Sequence, residues 1–356
     1  MPSAKVTPLH ARLLVDVAPE DAALAMRRVA RVFGVLSVSE GHRCAKDLDA
    51  ITPLAIRLVD EARQGLPGTP SFVVRAQRGD KRFPMTSVEL GRELGHRIQE
   101  ALGLPVSLHA PAIEVGLEIG HEHAFVFVGA TPGPGGLPLG SESRVNLLLS
   151  GGIDSPVAGW LTARRGCPLD ATFFHGHPWV GDATRAKVVD LARLLAAWTG
   201  PLPLFVVPFG EAQKALRDAG PAEIAVVLYR RMMMRVAARI AHRRSARALV
   251  TGENLAQVAS QTLHNMGLID EAVHGLPVLR PLVTYEKMEI VARAEQIGTY
   301  ATSIIPHEDA CQLFVPAHPS LRASREHVLA AEAAVDAEAM ADDLAYRAVR
   351  TDVEAR

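Results

Sequence analysis

Apolar and polar positions follow two different rhythms along this chain. Up to residue 131 short alternating runs are interleaved with helical periodicity. A strand over 13–17, an amphipathic helix over 21–32, a strand over 34–39 and a helix over 48–63 make a first small α+β unit, 1–66. The breaker Gly65-Leu66-Pro67-Gly68-Thr69-Pro70 closes it. A second α+β unit, 67–131, follows with a strand over 71–76, a helix over 87–102 and strands over 113–119 and 124–128. After a Pro- and Gly-rich linker, 132–140, apolar runs near 145–149, 169–174, 202–207 and 248–251 alternate with helical stretches, the pattern of parallel strands covered on both faces. The expected fold is α/β: a doubly wound parallel sheet over 141–319 preceded by two α+β domains. The alanine-rich, acidic tail, 320–356, reads as one closing helix.

Composition narrows the class. A chain of 356 residues that is 48% hydrophobic can fill more than one core. No apolar stretch approaches about 20 residues, and Met1-Pro2-Ser3-Ala4-Lys5 lacks the apolar centre of a signal peptide, so a cytoplasmic protein without membrane contact is expected. The three cysteines, Cys44, Cys167 and Cys311, form no Cys-x-x-Cys pair and suggest neither a disulfide framework nor a four-thiolate metal site. A net charge of −1 argues against a uniformly basic nucleic-acid binder and leaves the matter to local patches.

The segment Ser150-Gly151-Gly152-Ile153-Asp154-Ser155 lies between an apolar strand and a helix over 157–165, with Pro156 suited to a helix start. Without side-chain bulk at Gly151 and Gly152, backbone N–H groups can reach phosphate oxygens, and the helix N-terminus adds its dipole. A Walker A loop is excluded, because no lysine is followed by serine or threonine. Gly133-Pro134-Gly135-Gly136 likewise fails the dinucleotide pattern. The loop resembles the PP-loop of the ATP-pyrophosphatase superfamily, whose Ser-Gly-Gly-x-Asp-Ser holds the pyrophosphate half of ATP. Those enzymes adenylate a carbonyl oxygen and let a nucleophile displace AMP. The plainer alternative is a strand–helix turn with no ligand.

Further blocks sharpen the resemblance. Gly135-Gly136-Leu137-Pro138, Tyr229-Arg230-Arg231-Met232-Met233-Met234-Arg235, Thr251-Gly252-Glu253-Asn254-Leu255-Ala256-Gln257-Val258-Ala259-Ser260-Gln261-Thr262-Leu263, Leu279-Arg280-Pro281-Leu282 and Ile297-Gly298-Thr299 resemble, in order, the tRNA 4-thiouridine synthetases of the ThiI type. Phe72-Val73-Val74-Arg75-Ala76, Lys81-Arg82-Phe83-Pro84 and 87–95 resemble the THUMP RNA-binding module, and 1–66 matches its ferredoxin-like companion in pattern. The resemblance implies ATP-dependent tRNA thiolation, with uracil O4 of uridine 8 adenylated and sulfur supplied by a cysteine desulfurase or another persulfide donor. A homodimer is compatible with it. The ATP site it implies draws on Leu148, Leu149, Ser150, Gly151, Gly152, Asp154, Ser155, Phe173, Phe174, Arg230, Gly252 and Gln261. In that site Arg230 brings a permanent charge, Gly252 allows close approach of backbone to nucleotide, and Asp154 suits the Mg²⁺ that accompanies ATP. The stretch His175-Gly176-His177-Pro178-Trp179 departs in length from the family pattern. Arg75, Arg78, Lys81 and Arg82, on and just after one strand, read either as a phosphate-contact set for RNA or as a solvated strand end.

Arg231, Arg235, Arg239 and Arg243 recur every four residues, with no acid between Ile224 and Gly252. Four like charges on one face repel. Either acids from elsewhere pair with them, or they track tRNA phosphates, with Arg239 and Arg243 as the RNA contacts. His121-Glu122-His123 and His175-Gly176-His177 lack metal-ligand spacing and read as turn histidines. Cys311 matches the family's cysteine in the PP-loop domain, while Ala310 stands where a second is often seen, so the implied role of Cys311 is to attack or reduce a delivered persulfide. Cys44 and Cys167 read as packing residues, and no iron–sulfur cluster is expected. Full-length relatives can append a rhodanese domain, which this chain ends without, and a part in thiamine thiazole synthesis would rest mainly on that domain. The competing readings are an RNA-binding protein with a regulatory nucleotide site, and another PP-loop tRNA-modifying enzyme.

Overall fold

The computed structural model describes residues 4–9, 12–306, 314 and 316–355, in two units, Met1–Gly135 and Gly136–Arg356. The first unit opens with a hairpin of β1 (Lys5–Leu9) and β2 (Arg12–Asp16), then α1 (Ala22–Val29), β3 (Ser37–Val38), β4 (His42–Cys44) and α2 (Leu48–Arg63). It continues through β5 (Phe72–Arg78), α3 (Ser87–Leu102), β6 (Ile113–Ile119), β7 (Ala124–Val128) and β8 (Thr131–Pro132). The main sheet has the order β4-β7-β6-β5. Its helices are sharply bounded: Asp47 caps α2 by accepting from Ala50 N, and Thr86 with Glu89 forms a reciprocal capping box on α3, which ends at Gly103 in the left-handed region.

Two expectations change here. The strand over 34–39 shrinks to Ser37–Val38, paired with Thr131–Pro132. Helix α2, assigned to 1–66, packs in one core with the sheet of the second expected unit, because Ile51, Ala55, Leu58 and Val59 cover Phe72, Val115, Leu117 and Val126 together with Leu90, Leu94 and Ile98 of α3.

The second unit is built on six strands: β9 (Val145–Leu148), β10 (Leu169–His175), β11 (Leu202–Pro208), β12 (Leu249–Val250), β13 (Val278–Leu279) and β14 (Val349–Val353). Its helices are α4 (Asp154–Ala163), α5 (Asp182–Thr199), α6 (Gly210–Asp218), α7 (Ala225–Arg243), α8 (Leu263–Asp270), α9 (Lys287–Ile297), α10 (Tyr300–Ser303), α11 (Arg325–Ala334) and α12 (Ala337–Tyr346). The order is β13-β12-β9-β10-β11-β14, parallel throughout except where β14 runs antiparallel to β11. Helices α4, α5, α9 and α10 pack together, whereas α6, α7, α8, α11 and α12 share a separate core. The chain moves outward from β9 to β11 and then returns to place β12 on the other side of β9. That reversal opens a crevice at the carboxyl ends of β9 and β12, where ligands of doubly wound sheets bind.

The tail departs from the single expected helix. Asp336 takes the left-handed conformation, φ 46°, that an aspartate tolerates, and its side chain caps α12 by accepting from Ala339 N. This splits the tail into α11 and α12, and β14 follows on the sheet edge. Helix α4 also starts earlier than expected, at Asp154. Among the described residues no helix is long and apolar enough to cross a membrane.

Candidate active site

Strand β9 delivers the glycine-rich loop into the crevice. Ser150 N donates to Ser155 Oγ at 2.9 Å, the two serine hydroxyls lie 3.1 Å apart, and Gly152 N donates to Ser150 Oγ at 3.3 Å. The loop is therefore tied across its own mouth. Because α4 begins at Asp154, the N–H groups of its first turn have no partner within the helix and face the loop. Asp154 Oδ1 accepts from Lys287 Nζ at 2.7 Å, at the start of α9, and Ser303 Oγ of α10 donates to Gly152 O at 3.3 Å.

Gly252, just past β12, lies directly against this loop. A Cβ there would stand 2.7 Å from Ser155 N, 2.8 Å from Asp154 C and 2.9 Å from Ser155 Cα. The missing side chain of Gly252 makes room for the loop backbone, which brings the loop and β12 into direct contact. Beside it, Glu253 is buried, accepting from Thr251 Oγ1 at 2.9 Å and Arg280 Nε at 2.7 Å, with Arg230 Nη1 at 4.0 Å. Burial pushes the Glu253 carboxyl up, but Arg230 and Arg280 outweigh it and hold the group below the usual carboxylate range. Arg280 is in turn held by both oxygens of Asp270. Gln261 ends a tight turn over Ala259–Gln261, and its Oε1 is buried without a hydrogen-bond partner among the described residues. Asn265 fixes that turn, donating through Nδ2 to Ala259 O at 2.7 Å and to Ser320 O at 2.9 Å. A cavity of about 500 Å³ runs beside Lys287, between Asn254–Gln257 and Val283–Glu286.

A family model described as thiamine biosynthesis protein (ThiI) matches residues 140–337, over half of the chain. The chain belongs to the ThiI family. A THUMP domain model matches residues 45–129. This ThiI-family chain is 41% identical over 337 residues to a probable tRNA sulfurtransferase of Alkaliphilus oremlandii, covering 94% of this chain and 86% of the relative. It is 44% identical over 333 residues to that of Moorella thermoacetica, covering 93% and 84%. Among solved structures, a 4-thiouridine synthetase–RNA complex with bound ATP superposes with a TM-score of 0.89 at 32% identity, covering 99% of this chain and 92% of that one.

Within this ThiI-family fold the structure brings together Ser150, Gly151, Gly152, Asp154, Ser155 and Gly252, and through Glu253 it draws in Arg230. Leu148 and Leu149 lead into the loop, with Leu149 N donating to Thr172 O. Phe173 and Phe174, just before the last residue of β10, are buried, the Phe174 ring edge-on to Phe209 with centroids 5.3 Å apart.

The RNA-contact set is less uniform than expected. Arg75 pairs with Glu114 at 3.1 Å on the sheet surface, and Lys81 is exposed. Arg82 pairs with Asp80 at 3.0 Å, and Lys46 reaches the same carboxylate at 2.9 Å. Hydrogen bonds from Arg82 and then Lys46 hold Asp80 well below the usual carboxylate range. Arg78 Nη1 donates to Phe83 O and Met85 O, which braces the loop before α3.

The arginine stripe on α7 faces α11 and α12. Arg231 and Arg235 both grip Glu332, with Nε and Nη1 contacts of 2.6 Å, and Arg235 Nε also bonds Glu338 at 2.8 Å. Arg239 bonds Glu338 at 2.7 Å and also Asp342, and Arg243 donates to Ala345 O at 2.9 Å. For Arg231, Arg235 and Arg239 the fold contains the pairing with acids from elsewhere, which takes the place of the RNA contact expected of Arg239, whereas Arg243 is held by a backbone carbonyl. Burial raises the Glu332 carboxyl, yet hydrogen bonds from Arg231 and Arg235 bring it below the usual range.

His175 is buried with Nε2 3.3 Å from Gly181 O. Among the described residues no group of three or more His, Cys, Asp or Glu is placed to hold a metal ion. Cys44 and Cys167 are half-buried, and burial pushes both thiols up. Cys311 lies outside the described residues. Sequence reasoning passed over Glu253, Arg280 and Lys287. The first two sat in blocks already singled out, as opposite charges near Arg230, and could have been found there.

Proposed function

We propose that this protein is an ATP-dependent tRNA sulfurtransferase of the cytoplasm that converts uridine 8 to 4-thiouridine. The observation that carries the reading is the self-tied Ser150–Ser155 loop, locked to β12 by Gly252, in a chain over 40% identical to probable tRNA sulfurtransferases along nearly its whole length. Loop N–H groups and the start of α4 offer preorganised donors to the pyrophosphate half of ATP, which leaves when uracil O4 attacks the α-phosphorus. Arg230, steadied by Glu253, brings positive charge to the same crevice.

Asp154 fits Mg²⁺, which binds through one or two carboxylates plus phosphate oxygens. When bound, the ion would neutralise phosphate charge. Lys287 brings a second cation to that place through its contact with Asp154.

In the second half the terminal sulfur of a donor persulfide attacks C4 and AMP leaves. The Cys311 thiolate then cleaves the S–S bond to the donor, freeing 4-thiouridine and leaving a Cys311–donor disulfide that an external thiol reduces by two electrons. A cysteine desulfurase suits the donor role, and the scheme uses no iron–sulfur cluster. The test is incubation with ATP, Mg²⁺ and unmodified tRNA. AMP and pyrophosphate are the expected products, and ADP with phosphate would overturn the reading.

A further inference from the structure

Ser303 carries a buried hydroxyl that the adenylation scheme leaves unused. It is the last residue of α10, and its Oγ donates to Gly152 O inside the glycine-rich loop at 3.3 Å. In a planar trans peptide the carbonyl and the following N–H point in opposite directions. The bond on Gly152 O therefore turns the N–H of Ile153 away from α10, and among the described residues that N–H has no acceptor. A peptide next to glycine turns over more easily than any other, so a fixed partner on the Gly152 carbonyl decides which way the donor faces.

Ser303 is itself held from two sides. Its N–H donates to Thr299 O at 3.0 Å, and Thr299 N donates to Ala294 O at 2.9 Å, which seats α10 on the end of α9. Its carbonyl oxygen and that of Ile305 accept from Nζ of Lys187, early in α5, both at 2.7 Å. Lys187 is buried, and an ammonium out of water is costly unless fixed acceptors replace the solvent, so these contacts fasten the end of α10 to α5. Trp198, further along α5, donates through Nε1 to Ile297 O at 3.4 Å and ties the end of α9 to the same helix. With Lys287 on Asp154 at the start of α9, the α9 and α10 pair reaches the loop at two places.

We propose that Ser303 and Lys187 are positioning residues for adenylation. Ser303 orients the Gly152–Ile153 peptide so that its N–H serves the pyrophosphate half of ATP, and Lys187 fixes Ser303. The inference rests on the reading of the Ser150–Ser155 loop as the pyrophosphate site. Charge grows on the leaving pyrophosphate as uracil O4 attacks, so a donor aimed in advance acts more on turnover than on ATP affinity.

The experiment compares Ser303→Ala, Lys187→Met, Lys187→Arg and the double variant of Ser303→Ala with Lys187→Met against the wild type, using the full chain with ATP, Mg²⁺ and unmodified tRNA. The readouts are kcat and KM for ATP in AMP formation, per folded molecule, with thermal melting to give the folded fraction. For Ser303→Ala, kcat falls about tenfold while KM stays within about threefold, as expected for a misaimed donor. Lys187→Met falls in the same sense, and Lys187→Arg, which keeps charge and N–H donors, recovers part of the loss. The double variant loses no more than the worse single one, because both residues act through one strap. If Lys187→Met does not fold, Ser303→Ala and Lys187→Arg decide, the latter with a kcat between those of Ser303→Ala and the wild type. A folded Ser303→Ala enzyme with kcat within about twofold of the wild type would overturn the inference, as would losses that multiply in the double variant. A wild type that releases ADP with phosphate would instead remove the reading beneath it.

Discussion

Adding one methyl group at Gly252 tests whether the ATP loop and β12 act as a single rigid body. The nearest atoms to a new Cβ are backbone, at 2.7, 2.8 and 2.9 Å, and no rotamer change can relieve them. Ordinary contact begins near 3.4 Å, so the Ser155 N–H must retreat by about 0.7 Å relative to β12. Overpacking of this kind costs about 1–3 kcal/mol. At about 2–4 °C per kcal/mol for a unit of this size, Gly252→Ala should lower the melting temperature by about 2–12 °C. The catalytic effect should be larger, because displacements of about 1 Å in a reacting geometry cost on the order of 100-fold. We expect kcat/KM for ATP in tRNA-dependent AMP release to fall about 10- to 100-fold, with tRNA affinity unchanged. Gly267→Ala is the matched control: it sits inside α8 with nothing within 4 Å of the added carbon, and should stabilise by about 0.5–1 kcal/mol without touching activity. A Gly252→Ala enzyme that releases AMP within about twofold of the wild-type rate would refute the argument, whatever its melting temperature.

Lys287→Met should raise KM for ATP and lower AMP release by about tenfold or more while leaving RNA binding intact, since it removes the cation beside Asp154; isothermal titration with ATP separates binding from turnover. Glu332→Ala strands two buried guanidinium groups and should cost about 3–5 kcal/mol in urea unfolding, and a loss below about 1 kcal/mol would contradict the pairing. Glu338 is held at about 2 by hydrogen bonds from Arg239 and Arg235, so its share of stability is full above its ordinary value and drains away as pH falls toward 2. Urea midpoints should therefore drop between pH 5 and pH 3, and drop less in Glu338→Gln. Charge reversal at Arg75 together with Lys81 should weaken tRNA binding and flatten its salt dependence by about 1–2 units without altering ATP binding; unchanged tRNA affinity would return both residues to an ordinary solvated surface.

What the sequence displayed, and what it hid, follows from how local the causes were. Helix α3 was legible residue for residue because Thr86, Glu89 and Gly103 specify its ends within the chain. Strands β6 and β7 were legible through their apolar runs, and the loop after β9 through its glycines. The partners of α7 were not, because Glu332, Glu338 and Asp342 stand about a hundred residues from the arginines they neutralise, and no local pattern announces a tertiary ion pair. The tail was misjudged for a related reason. Its alanines favour helix throughout, while the break depends on one aspartate in a left-handed conformation. At Gly252 the sequence showed that bulk is absent but not that the loop backbone lies against it.

Strand β14 also bears on how this protein is made. Leu202 pairs with Val353 and Val206 with Val349, so the flank of β11 is closed only by a segment synthesised long after it. Until then the run Leu-Pro-Leu-Phe-Val-Val-Pro leaves the ribosome with an open hydrogen-bonding edge, the kind of surface on which nascent chains stick to one another. Shortening the chain before Val349 should therefore reduce soluble yield more than the specific activity of the molecules that do fold, a manufacturing defect in place of a catalytic one.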